Sequence, residues 1–293
     1  MRILNLSFPD NSEIKYKISK FPDGQQDIVI DKSSIPTTLE GRPVPICITS
    51  RFNSFLDLEL IICTTKALRR LSVLEIHLYI PYLLGARSDR HFQEGGNSYL
   101  VDVIAPIINA QSFRTVMVMD VHSDVAPACI HRLTSISNKK LLDFFWKENP
   151  NNGWGSYVFI SPDGGALKKI YKLADSLGFK GDIVTCSKSR NEKGELSRVL
   201  VPLNTRDHSD KEFVIIDDIC DGGRTFINIA DNIKQNGYTK NKIHLVVTHG
   251  VFSRGFMELL KYFDVIYSTN SYSDAELGEA HEYYERIKQL NIF

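Results

Sequence analysis

Short runs of Val, Ile, Leu and Phe recur along the chain at 44–48, 76–80, 116–119, 157–160, 213–216, 243–247 and 265–267. Several show no polar alternation, the pattern of strands covered on both faces. Between them, apolar residues at helical spacing predict helices over 56–71, 100–110, 139–147, 166–177, 226–236 and 255–262. Strands and helices in alternation imply an α/β class with mainly parallel sheets. The polar stretch from Glu148 to Trp154 reads as a loop. A boundary near residue 138 gives an N-terminal α/β domain, 1–138, which the tail 277–293 is free to join, and a C-terminal α/β domain, 139–276. Residues 187–197 carry Lys188, Arg190 and Lys193 without apolar periodicity, which predicts a mobile loop.

Polar residues gather at the C-terminal ends of the predicted strands, where open α/β sheets place their ligands. The most informative run is 213–225, in which four apolar residues meet two adjacent acids, Asp217 and Asp218. Asp221, Gly222, Gly223, Arg224 and Thr225 follow, and a helix is expected from Phe226. Glycines at a helix N-terminus let backbone N–H groups approach a phosphate. Paired acids hold vicinal hydroxyls. A sugar phosphate, ribose 5-phosphate above all, has that pattern of groups. An acidic helix cap after a core strand is the simpler alternative.

The composition narrows the class further. Of 293 residues, 43% are apolar and 24% charged, ordinary for a globular protein. Lys+Arg and Asp+Glu are 35 each, which argues against a dedicated nucleic-acid or membrane-surface binder. The apolar runs are far shorter than a membrane span, and the first residues carry no signal-peptide pattern. The five cysteines are scattered, with no metal-ligand spacing, and read as buried thiols of a reducing cytoplasm.

Six motifs in order resemble those of the ribose-phosphate diphosphokinases, the phosphoribosyl pyrophosphate synthetase family. They are residues 21–25, 81–90, 120–124, 161–165, 188–190 and 217–225, so the likeness runs from about residue 20 to 275. The resemblance implies two phosphoribosyltransferase-like (Rossmann-like) domains with the active site between them. It implies ATP as co-substrate and Mg2+ as cofactor. Phe21, Asp23 and Gln25 would complete an adenine pocket, in that family on a neighbouring subunit's ATP, which implies a homo-oligomer, dimer or hexamer. Arg87, Asp89 and His122 would contact ATP. His122 and Asp163 would serve metals, although magnesium prefers oxygen donors and a strand-end histidine is more often simply hydrogen-bonded. Lys188 and Arg190 would be the catalytic pair, closing over the phosphates in the transition state. Asp217 and Asp218 would hold the ribose hydroxyls, and Asp221 to Thr225 the 5-phosphate. Asp120 and Asp124 are candidate orienting carboxylates or solvated turn residues. His249 belongs to either the ribose site or the packing.

The sequence departs from that family in ways that bear on the substrate. Gln25 stands where a glutamate is usual, and 13–19 alternates like a strand where the family has a helix. Arg224 occupies a position that is usually small. An extra guanidinium there would reach a second phosphate or a larger 5-substituent. Short members resembling this chain occur in phage NAD salvage, and some of them use ADP-ribose, so the resemblance implies either ribose 5-phosphate or ADP-ribose as acceptor. A phosphoribosyltransferase using phosphoribosyl pyrophosphate and a catalytically silent regulatory subunit are the rival readings.

Overall fold

The computed structural model describes residues 1–150, 153–190, 196–203 and 208–293; of residues 188–190, 196–198 and 279 only the backbone is described. The chain divides into two compact units, Met1–Ile136 together with Phe293, and Ser137–Ile292.

The first unit is built on a five-stranded parallel sheet. Its strands are β1 (Arg2–Asn5), β4 (Ile46–Thr49), β5 (Ile76–Tyr79), β6 (Val116–Met119) and β7 (Leu133–Ile136), in the order β1-β4-β5-β6-β7. Two further strands, β2 (Tyr16–Lys20) and β3 (Gln26–Ile30), form a separate antiparallel hairpin. The alternation read at 13–19 overlaps the first arm of that hairpin from Tyr16 onward.

Helix α1 (Phe55–Arg70) starts at a capping box: Ser54 accepts from the Asp57 N–H, and the Asp57 carboxylate accepts from the Ser54 N–H. It buries Leu58, Ile61, Thr64, Thr65 and Leu68, spaced as one helical face requires. The helix expected at 100–110 is less regular. Residues Tyr99–Ile104 form a wide π turn that runs into α2 (Ala105–Ala110), with Pro106 at its start. A short α3 (Val125–Cys129) follows β6. Phe293 packs on Phe8, ring centroids 5.1 Å apart.

The second unit has a six-stranded parallel sheet. After α4 (Lys139–Glu148) come β8 (Tyr157–Ser161), α5 (Gly164–Leu177), β9 (Asp182–Thr185), β10 (Ser187–Arg190), β11 (Leu196–Leu200), β12 (Glu212–Cys220), α6 (Arg224–Gln235), β13 (Ile243–Gly250), α7 (Met257–Leu260), β14 (Val265–Thr269) and β15 (Ile287–Leu290). The sheet order is β15-β14-β13-β12-β8-β9. Central β12 is buried on both faces. Phe213 and Ile215 face one apolar cluster with Phe226 and Ile229 of α6, while Val214 and Ile216 face another with Leu141 of α4 and Ile170 of α5. This two-sided burial is why the strand reads as an unbroken apolar run.

Three expectations need correction. The tail 277–293 does not join the first unit as a segment: β15 hydrogen-bonds to β14, and only Phe293 groups with residues 1–136. Part of 187–197 is a strand pair, not a loop, with β10 antiparallel to β11. Its polar residues hide the pairing because strand hydrogen bonds need no apolar side chains. The helix predicted over 255–262 shrinks to the four residues of α7, after Gly255 at φ +66° breaks the helical path.

At the N-terminal edge of the sheet, Glu212 at the start of β12 lies 2.8 Å from Nε2 of buried His244. That hydrogen bond holds the Glu212 carboxyl below its ordinary 4.5, against the upward push of burial; the charges of His244 and Lys242 add to it. A depressed carboxyl contributes stability above its unfolded pKa, and the contribution disappears as pH falls through the folded value. The melting temperature should therefore drop as pH is lowered from about 5 toward 3. Glu212→Gln should flatten that drop, as differential scanning calorimetry across the range would show.

Candidate functional site

In the first unit, the segment 21–25 is the turn of the β2–β3 hairpin. The Phe21 N–H donates to the Gln25 carbonyl (2.8 Å), and Gly24, at φ +96°, donates to the Phe21 carbonyl. The Gln25 N–H donates to Asp23 Oδ1 at 3.2 Å. The turn thus fixes its own backbone and leaves Phe21 49% exposed, an aromatic ring carried on a hairpin tip.

Residues 81–90 follow β5. Pro81 to Leu83 are buried, whereas Arg87 and Arg90 are exposed. Asp89 is only 4% exposed, and its Oδ1 accepts from Arg90 Nε at 3.0 Å. Burial pushes the Asp89 carboxyl up, but hydrogen bonds from Ser123 and Arg90 and the charges of Arg90 and His122 outweigh it and hold the group below the usual carboxylate range. The 81–90 and 120–124 segments, separate in sequence, therefore share one site. His122 is exposed, two residues beyond Asp120, which adopts φ +42° just after β6.

A magnesium ion takes one or two carboxylates and completes its shell with waters and substrate phosphates. Among the described residues no cluster of three or more His, Cys, Asp or Glu stands ready to enclose a metal. The Asp89 side chain offers something suited to a partly solvated ion: its buried Oδ2 has no hydrogen-bond partner. An oxygen donor of that kind beside exposed His122 fits a magnesium held mainly by substrate phosphates.

In the second unit, β8 ends at buried Ser161, whose hydroxyl donates to the Asp163 carbonyl at 2.7 Å. Asp163 caps α5, its Oδ1 accepting from the N–H groups of Gly165 (3.0 Å) and Ala166 (3.1 Å). The residue expected to bind metal thus also orders the α5 N-terminus.

The two acids of β12 differ sharply. Alternation along the strand turns Asp217 toward the α6 side and Asp218 toward the α5 side. Asp217 Oδ1 accepts from the Asp218 N–H at 2.9 Å. Asp218, 6% exposed, has Oδ2 at 2.8 Å from Lys169 Nζ of α5. The sequence presents the acids as an equivalent pair, whereas the fold gives each a different environment.

Beyond them, Cys220 is buried, and burial, with the charges of Asp217 and Asp221, pushes its thiol up to about 12; it stays protonated and inert. Gly223, at φ +76°, is the N-cap of α6 and has no side chain with which to cap it. A helix N-terminus of this kind offers N–H groups and a positive end to an anion. The turn after β13 closes over this loop. The N–H groups of Val251 and Phe252 both donate to the Cys220 carbonyl, at 2.8 and 3.1 Å. Ser253 Oγ donates to Asp221 Oδ1 at 2.6 Å. The Arg254 stem lies against Gly222, so close that an added Cβ would meet its Cδ and Nε at 3.3 Å. His249 is buried, with Nδ1 at 2.8 Å from Ser271 Oγ.

The side chains of Lys188 and Arg190 lie outside the described residues; their backbones belong to β10. Sequence reading missed Lys169, Ser253 and Arg254. Lys169 looks like the solvated face of α5, and Arg254 like an ordinary turn cation. Only their distant partners reveal them.

The profile of the phosphoribosyl transferase domain matches residues 109–275. A ribose-phosphate pyrophosphokinase of Pyrococcus furiosus is 27% identical, covering 87% of this chain and 85% of its own length. Enzymes of the same name from Fusobacterium nucleatum and Mycoplasmopsis pulmonis are 28% and 26% identical, covering 84% and 82% of this chain and 74% and 71% of their own lengths. The crystal structure of phosphoribosylpyrophosphate synthetase from Mycobacterium smegmatis superposes with a TM-score of 0.77, covering 100% of this chain and 95% of that one at 18% identity. The two chains share a fold.

Gly223→Ala should destabilise the protein by roughly 1–3 kcal/mol, because alanine strains at positive φ. Its Cβ would also stand 2.6 Å from Leu259 Cδ2. Urea unfolding of the variant, compared with Gly237→Ala at a similarly positive φ but with nothing within 4 Å, separates the packing part from the backbone part.

Proposed function

We propose that this chain, which belongs to the phosphoribosyl transferase domain family, is an ATP-dependent ribose-phosphate diphosphokinase. Its relatives of that name support the reaction class. The anomeric 1-hydroxyl of a ribose 5-phosphate moiety attacks the β-phosphorus of ATP. A bond forms from that oxygen to the β-phosphorus, and the bond from the β-phosphorus to the α,β-bridging oxygen breaks. AMP leaves with the bridging oxygen, the hydroxyl proton passes to solvent, and the sugar gains a 1-pyrophosphate.

The observation that carries the reading is the end of β12. A buried strand delivers Asp217 and Asp218 to the edge of the sheet, a few residues before the N-terminus of α6, whose N-cap is Gly223. The acids take the ribose hydroxyls. Asp221, Gly222, Gly223, Arg224 and Thr225 take the 5-phosphate through backbone N–H groups and the threonine hydroxyl. On the ATP side, Arg87 and Asp89 bind, and Phe21, Asp23 and Gln25 contact adenine from the hairpin tip. The exposure of Phe21 supports a homo-oligomer in which this tip reaches a neighbouring copy. His122, with the free oxygen of Asp89, would hold a magnesium ion on the ATP side, and Asp163 would serve a second metal on the ribose side; such ions, when bound, neutralise phosphate charge. Lys188 and Arg190 close over the phosphates and offset the charge that grows in the transition state. Five free cysteines support a cytoplasmic setting.

A specific observation favours ADP-ribose over ribose 5-phosphate as acceptor. Arg224 and Arg254 both stand at the phosphate loop, both exposed, and neither has an acid partner among the described residues. A lone 5-phosphate is already served by the loop N–H groups. Two further guanidiniums suit a second phosphate joined to the 5-phosphate through an anhydride oxygen, as in ADP-ribose, whose product would be ADP-ribose pyrophosphate for NAD resynthesis.

AMP release with Mg-ATP and each acceptor tests both levels. AMP with neither acceptor rejects the diphosphokinase and leaves a phosphoribosyltransferase or a silent subunit. AMP with ribose 5-phosphate alone rejects the ADP-ribose reading. Arg254→Ala should raise KM for ADP-ribose about tenfold, in line with a lost charged hydrogen bond, and change that for ribose 5-phosphate little. Lys188→Ala should lower kcat by about 10²–10³-fold with an unchanged melting temperature.

A further inference from the structure

We propose that Lys169 is a positioning residue of the acceptor site, acting through Asp218. The inference rests on the diphosphokinase reading above.

Lys169 lies on α5, which directly follows β8, so the helix begins at the C-terminal edge of the sheet. Side chains on a helix lean toward its N-terminus. Lys169 therefore reaches back to the edge where β12 ends, and its Nζ meets Asp218 Oδ2 at 2.8 Å. The two ends of the pair differ in exposure: the lysine side chain is 38% exposed and the aspartate 6%. The acid is the buried partner, set just past the apolar run from Phe213 to Ile216.

The ammonium group fixes one oxygen of the buried carboxylate, which orients the other toward the edge where a sugar hydroxyl would donate to it. Stability alone does not explain the pair, since buried ion pairs are on balance no better than well-packed apolar residues. Its position one residue after Asp217 and three before Asp221, at the edge where the acceptor binds, does explain it. The same helix carries the Asp163 cap at its N-terminus, so Lys169 also ties the β12 exit to the turn at the start of α5.

Binding of ribose 5-phosphate and of ADP-ribose, measured by titration calorimetry on the full chain without ATP, provides the test. Lys169→Met should weaken both acceptors by about tenfold or more, equally, because both present the same ribose hydroxyls. ATP binding should stay within about twofold, and Lys169→Arg should recover most of the loss. In an Asp218→Asn background, Lys169→Met should cause no further loss, since the lysine acts through the acid. If the methionine variant does not fold, Lys169→Gln is measured in its place. Unchanged acceptor binding, an equal loss for ATP, additive losses in the double variant, or a wild type that binds neither acceptor would each overturn the inference. Acceptor binding without AMP release leaves it standing while rejecting the diphosphokinase reading, so the two fail separately.

Discussion

Burial of β12 on both faces is the constraint from which the second unit follows. A strand flanked by β13 and β8, with α6 on one side and α4 and α5 on the other, must be apolar until it leaves the sheet. Its polar residues are forced to the exit. Parallel connection brings the exits of β8, β12 and β13 to the same edge, so three loops distant in sequence converge there. The packing requirement of the core thus gathers the polar residues of these loops at one edge.

At that edge the site is held by contacts between loops more than by the strand itself. The Cys220 carbonyl accepts two N–H groups from the β13 turn, and Ser253 bonds Asp221. These bonds press Arg254 onto Gly222, a contact that only a residue without a Cβ accommodates freely. Phe252 takes φ +46° in the same turn, a conformation disfavoured for a bulky residue and sustained by its packing on Phe256, with ring centroids 4.5 Å apart. The 221–225 loop is therefore fixed by contacts within the protein, and a loop held in this way lowers the entropy cost of binding an anion.

Legibility in the sequence followed burial. The run 116–119 matches β6 residue for residue, and 157–160, 243–247 and 265–267 fall inside β8, β13 and β14. These strands are covered and their side chains announce it. The elements overlooked lie at edges or outside the main sheets: β7 and β9 are half exposed, and β15 reads Ile-Lys-Gln-Leu. Their stability comes from backbone pairing, which leaves no compositional mark. In the site, acids and glycines between 217 and 225 were legible because their types and spacing carry chemistry. The asymmetry between Asp217 and Asp218 was not, because it depends on which helix packs over each face.

Chain order alone establishes the α/β class, the succession of strand-end motifs and the chemistry they offer, since each of these is a local property of residue type and spacing. Folding alone establishes who meets whom. Lys169 and Asp218 are 49 residues apart, and Ser253 and Asp221 are 32 apart. Nothing local marks either lysine or serine as part of the site. They arrive there because right-handed β-α-β connections return each helix to the sheet and align the strand ends, and because a buried carboxylate is stabilised by whatever cation the packed helix presents.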